Sequence, residues 1–148
     1  MEIIQENTFE KARKEISKRK SQEIIFSSNN DELNRKVLEK LPIDILLINQ
    51  KARRDRQKQR DSGFNQVLAK IAKKNKITIG INLDEIIESS PQTKKKTLAR
   101  VKQNIKLCNK NKLKMKFITI QKQNNRNLYD LKALGLILGM STSMTKNL

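Results

Sequence analysis

Asp61-Ser62-Gly63 follows a run, Lys51 to Arg60, that carries six basic side chains, and it opens onto an amphipathic pattern. Several chemistries fit such a junction. A nucleophilic Ser62 needs a base, but the chain has no histidine, Lys70 has no supporting spacing for a Ser-Lys pair, and the GxSxG elbow is absent. A helix cap needs less. Asp61 or Ser62 accepts a hydrogen bond from a first-turn amide, and Gly63 turns the backbone into the helix. An anion site at Asp61, Ser62 and Gly63 adds to that cap, because a helix N-terminus offers free amides and partial positive charge. Arginine forks suit phosphate oxygens. A merely solvated loop is the competing account.

The charge pattern favours an anionic partner. The 148 residues carry a formal net charge of +18 from 33 Lys and Arg against 15 Asp and Glu. Nine acids and nine bases precede Asn49, so the remaining 24 bases face six acids. A compositional drift towards lysine acts on both halves alike; a basic face does not. The absence of histidine excludes imidazole catalysis and His-ligated metals. The single cysteine, Cys108, excludes an internal disulfide or a Cys-rich zinc site and falls on the apolar stripe of a helix. No cofactor is expected. The first residues lack the apolar core of a signal peptide and no run approaches spanning length, so a soluble cytoplasmic protein without membrane contact is expected.

The elements that must position these residues alternate. MEIIQ (1–5), EIIFS (23–27), IDILLIN (43–49), KITIGINL (76–83) and MKFITI (115–120) read as strands, the first an edge strand. Their continuous apolar character suits a sheet covered on both faces. Between them, helical periodicity appears at Phe9, Ala12 and Ile16; at Leu33, Val37, Leu38 and Leu41, capped by Asn30 or Asp31; at Phe64, Val67, Leu68, Ile71 and Ala72; along Gln92 to Asn109; and at Leu128, Leu131, Leu134, Gly135 and Leu138. The fold class is α/β, built of parallel β/α units with right-handed crossovers. Five strands do not complete an eight-stranded barrel, so either an open doubly wound sheet or a partial barrel is predicted, in one domain over 1–148. The tail from 140 to 148 is expected to fray.

The string DSGFNQVLAKIAKKNKITIGINLDEII resembles the central motif of the ribonuclease P protein component 3 family. DELNRKVLEKLPIDILLIN before it, and ARVKQNIKLCNKNKLKMKFITIQ and LYDLKALGLILGM after it, agree in order. The resemblance implies a TIM-like barrel related to the polymerase and histidinol phosphatase superfamily. It implies a noncatalytic, RNA-binding protein subunit, which works with protein component 2 to help the catalytic RNA remove the 5′ leader of precursor tRNA. The RNA would perform the hydrolysis with its own metal ions. Three departures stand out. The chain opens at MEIIQENTFEKARK without the family's earlier β/α units, and it stops before the family's further C-terminal structure. Gln66 stands where the motif has histidine, and QKQNNRN (121–127) replaces a Ser-rich loop.

RNA contacts are therefore expected at Lys51, Arg53, Arg54 and Arg60 on the loop, Lys70 and Lys73 on the following helix, Lys102 and Lys106 on the long helix, and Arg126 after the last strand. An ordinary solvated side chain is the competing account of each. Tyr129 is the sole candidate stacking platform, so recognition of a folded, phosphate-rich surface is expected over single-strand stacking. The partners expected are ribonuclease P RNA, precursor tRNA and component 2. A homo- or hetero-oligomer is expected to form through an open edge at strand 1–5 or 23–27, where Ile24, Ile25 or Phe26 would be exposed. Two other classes compete. A metal-dependent phosphoesterase would have to gather Asp44, Asp61, Asp84 and Glu85, and an interaction scaffold would leave the basic surface incidental.

Overall fold

The computed structural model describes residues 2–19 and 21–148; Met1, within the first predicted strand, lies outside the described residues. Short β-branched runs become parallel strands and the amphipathic stretches between them become helices. In chain order these are β1 (Ile3–Gln5), α1 (Phe9–Ser17), β2 (Ile25–Ser27), α2 (Asp31–Lys40), β3 (Ile45–Ile48), α3 (Gln66–Lys74), β4 (Thr78–Asn82), α4 (Leu83–Glu88), α5 (Pro91–Lys110), β5 (Met115–Ile118), α6 (Leu128–Leu138) and α7 (Thr142–Thr145). A 3-10 turn, Lys122–Asn124, separates β5 from α6.

The sheet order is β1-β2-β3-β4-β5, every pair parallel. Each crossover steps one strand in the same direction, so with right-handed connections the crossover helices fall on one face. A doubly wound sheet would reverse its strand order at a switch point. This one does not, and the architecture is a partial TIM-like barrel.

Both faces are apolar for different reasons. Outward, Phe26, Leu46, Ile79 and Met115 pack beneath Val37, Leu38, Ala69, Ala72, Ile105 and Cys108 of the helices. Inward, Ile25, Ile45, Leu47 and Ile118 form a second cluster with Ile3 against it. The sheet curls hard enough for these inner side chains to cover one another. A Cβ on Gly80 would lie 3.1 Å from Ile45 Cγ2 and 3.2 Å from both Ile118 Cγ1 and Leu47 Cδ1. Lys116 of β5 reaches across to Glu23, ahead of β2, at 3.4 Å. This curling explains the continuous apolar strands without a second helical layer.

Several expectations are corrected. β2 is an interior strand, and Ile24, Ile25 and Phe26 are buried; the edges among the described strands are β1 and β5. The tail from 140 is docked, not frayed. Gly139, at φ 106, ends α6 in the left-handed region, and Met140 N–H returns to Gly135 O at 2.8 Å. Asn109 of α5 then donates to Gly139 O at 2.7 Å and accepts from Ser141 N at 3.1 Å, while Ser141 caps α7 and Met140 and Met144 are buried. Val67, read as part of the apolar stripe of α3, is exposed. Helix α4 was not foreseen. Cys108 is fully buried, as its place on the stripe of α5 required, and burial pushes its thiol up to about 12.

Candidate nucleic-acid interface

In a parallel sheet the loops after the strands gather at one end, and the loop after β3 is the longest of them. It runs from Asn49 to Asn65 between β3 and α3. Its polar backbone cannot pair with the sheet, so side chains hold it.

Two arginines turn inward to do so. Arg53 Nε donates to Asn49 O at 2.7 Å; its fork bridges both oxygens of Asp31 at 2.9 Å and reaches Asp61 at 3.1 Å. Arg100, from α5, donates to Asp55 at 2.9 Å, Gln50 O at 3.3 Å and Arg53 O at 2.9 Å. The Arg53 side chain is 9% exposed and that of Arg100 4%, so neither is free for a solvent-borne anion. Burial opposes the charge on Arg53, but Asp31 and Asp61 outweigh it and hold the guanidinium above its ordinary value. The Arg100 hydrogen bond holds the Asp55 carboxyl below its ordinary value, against a smaller opposing effect of burial.

Arg53 is thus corrected from a phosphate contact to the strut of the loop. The predicted cap is corrected as well. Helix α3 starts at Gln66, and Asn65 accepts from Leu68 N at 2.9 Å. Ser62 is buried: its hydroxyl donates to Phe64 O at 3.2 Å, and its carbonyl accepts from Gln50 at 2.9 Å and Asn104 at 3.2 Å. Asp61 faces Arg53, so the tripeptide offers no anion site. Gly63 is nevertheless required. Its φ is 73°, and a Cβ there would run into the Arg53 guanidinium.

With the inside braced, the remaining bases point out. Lys51, Arg54, Arg56, Lys58 and Arg60 are exposed, and none of them forms an ion pair among the described residues. Arg56 and Gln59 pair backbone to backbone, folding the tip into a narrow hairpin. Beside it a groove of about 590 Å³ is lined by Arg35, Arg56, Arg60, Gln66, Gln103 and the Asp31 carboxylate among others. Gln66, at the departure from the family motif, exchanges amide hydrogen bonds with Asn111 at 3.0 and 3.1 Å and so ties α3 to the end of α5.

The other predicted contacts are exposed but dispersed. Lys70 and Lys73 lie on α3, where Lys73 Nζ donates to Lys112 O at 3.0 Å, near the strand-amino end. Lys102 and Lys106 lie on the outer side of α5. Arg126 follows the 3-10 turn on the strand-carboxyl side and donates to Gln123 O and Asn125 O.

Helix α4 anchors two loops with acids. Glu85 accepts from the amides of Gln50 at 2.7 Å and Lys51 at 3.1 Å. Asp84 accepts from Ile120 N at 2.8 Å, Asn124 Nδ2 at 2.9 Å and the Thr119 hydroxyl, while Glu88 accepts from Asn124 at 2.8 Å. Burial raises the Asp84 carboxyl, but these donors outweigh it and leave it below its ordinary value. Asp44 is occupied elsewhere, accepting from Ile24 N at 2.7 Å. The four acids a phosphoesterase would need are therefore spent on separate structural tasks, and among the described residues no group of His, Cys, Asp and Glu side chains gathers to hold a metal ion. Arg100 was missed in the sequence. Its signal was there: Thr97, Arg100 and Asn104 recur at helical spacing beside Val101, Ile105 and Cys108, and all are buried.

Fold and loop together define a partial β/α barrel with a cationic lobe at its strand-carboxyl end. The chain belongs to the RNase P subunit p30 family, whose model matches residues 3–148. Its fold is similar to that of a chain in the cryo-EM structure of archaeal ribonuclease P with mature tRNA, with a TM-score of 0.80 and 23% sequence identity over 97% of this chain. The chain spans 62% of the length of that relative. No helix among the described residues is long and apolar enough to cross a membrane.

Proposed function

We propose that the chain is a noncatalytic, RNA-binding protein subunit of ribonuclease P that assists the catalytic RNA in removing the 5′ leader of precursor tRNA. The observation that carries this reading, beside the family, is the braced loop after β3. Its acids are consumed by Arg53 and Arg100, so Lys51, Arg54, Arg56, Lys58 and Arg60 project an uncompensated charge from a preorganised backbone. Fixed cations that neutralise phosphates release counterions without first paying to order their own scaffold. Lys70, Lys102, Lys106 and Arg126 extend the contact along the basic half, and Lys73 contributes at its far margin. The RNA supplies the chemistry; this subunit shapes and screens it.

A protein partner, component 2 of the same enzyme, fits the other exposed feature. The largely apolar helix α6 shows Leu128, Tyr129, Leu136 and Ile137 to solvent, and Ile120, after the edge strand β5, is exposed as well. Unpaired strand edges and apolar helix faces are commonly covered in an assembly. The place of work is then the cytoplasm, with the tRNA precursors.

The test is cleavage of precursor tRNA by the cognate ribonuclease P RNA, with and without this chain and component 2, across a magnesium and salt series. The expected result is a lower magnesium requirement with the chain present. Changing Arg54, Arg56 and Arg60 together to Ala should abolish most of that effect while circular dichroism stays unchanged. Unchanged cleavage by a folded chain would overturn the reading.

A further inference from the structure

The strand-carboxyl end holds a second cleft that the cationic lobe does not account for. It measures about 510 Å³, within the range of about 300–1,000 Å³ usual for small-ligand pockets. Gln5, Asn7, Ser27, Asn29 and Asn49 line it; no lysine or arginine does, and its one charged wall residue is Glu6. In a chain of net charge +18 this neutral-to-acidic cavity is an exception, and it offers a phosphate no cationic side chain.

Its inner wall is already ordered. Asn82 donates to Asn49 Oδ1 at 2.9 Å, and Asn49 donates to Ser27 Oγ at 2.9 Å, which links the ends of β4, β3 and β2. Ser27 is 1% exposed, and among the described residues its hydroxyl proton has no acceptor. Gln5 pairs in register with Ser27, and two residues earlier on the same face Ile3 and Ile25 begin the apolar inner cluster. The side chains of Gln5, Asn7 and Asn29 make no hydrogen bond among the described residues. Amides therefore line the cleft with both donors and acceptors unspent. Paired donors and acceptors of this kind match the planar edge of a nucleobase.

The cleft adjoins the lobe. Asn30, which lines it, caps α2, and the next residue, Asp31, holds Arg53 at 2.9 Å. Asp31 also lines the groove that Arg56 and Arg60 border, so the cleft and that groove meet at the start of α2. We infer that the cleft receives the hydrogen-bonding edge of an unpaired RNA base, with Gln5 and Asn29 as reading groups and the Asn82–Asn49–Ser27 row as their support. The inference rests on the RNA-binding reading above and adds a base-sensing site to it.

The test is binding, by fluorescence anisotropy over a salt series, of a short single-stranded oligoribonucleotide and of a matched strand whose sugars carry no bases. The expected result is about tenfold tighter binding of the base-bearing strand, the value of one good bidentate contact. Combining Gln5→Ala with Asn29→Ala, which breaks no hydrogen bond of the fold, should abolish that preference and leave the salt dependence unchanged. Equal affinity of the wild type for both strands overturns the cleft and leaves the RNA reading standing. A preference that survives the double variant also overturns it. Failure of both strands to bind at low salt overturns the RNA reading, and the cleft with it.

Discussion

A single carbon at position 63 separates a braced loop from a broken one. Gly63→Ala forces a side chain into the left-handed region and against Arg53. The strain alone costs on the order of 1–3 kcal/mol, and urea unfolding should show that loss together with faster proteolysis between Asn49 and Asn65. Arg100 is replaceable by neither Ala nor Lys, because its fork serves Asp55 and two backbone carbonyls at once. Either change should destabilise by about 1–3 kcal/mol through the groups left unpaired, read in the same unfolding experiment. Acid acts on the same residues. The Asp55 and Asp84 carboxyls are both held below their ordinary value, Asp55 by the Arg100 hydrogen bond, Asp84 by donors that outweigh its burial. Their stabilising contribution is complete above the unfolded value of about 3.9 and is lost as pH falls through the lower folded values. Combining Asp55→Asn with Asp84→Asn should therefore flatten the stability-against-pH curve below about pH 4.

Among the elements, the hairpin tip after β3 and the docked tail test different things. Removing Arg54, Arg56 and Arg60 should reduce the slope of log affinity against log salt by about 2 for single-stranded RNA, at about 0.7 per phosphate contact, without lowering the melting temperature. Met144→Ala should do the opposite: it removes a buried side chain and costs about 2–5 kcal/mol, while RNA affinity per folded molecule stays the same. The strands and most helices were legible because each declares itself locally, as with Ala12 and Ile16 of α1 or Val37 and Leu38 of α2. The cap of α3 was not. Asp61 and Ser62 have the right chemistry, but Arg53 claims the Asp61 carboxylate, the Ser62 hydroxyl is turned to Phe64 O and the Gln103 amide, and Asn65 takes the role. Arg53 itself could not be told from its neighbours by sequence, since Asp31, 22 positions away, decides that it faces inward. Helix α4 was hidden because it follows β4 with no intervening loop and spans only six residues.

Across the whole molecule, charge and winding set the behaviour. Of the six acids after Ile48, Asp55, Asp61, Asp84, Glu85 and Glu88 are engaged in internal anchoring, so the surface of that half is more basic than its composition. Self-repulsion follows, and the isolated chain should melt at a higher temperature as ionic strength rises from about 0.05 to 0.5 M, the reverse of the trend for RNA affinity. The strand order β1-β2-β3-β4-β5 has a bearing on how the chain is made as well as on what it holds. Each strand after β1 pairs with the one translated immediately before it, so contacts between sheet neighbours stay short in sequence. A β/α unit leaving the ribosome finds its template already in place. Biogenesis advances along one growing edge, the nascent chain serving as its own scaffold.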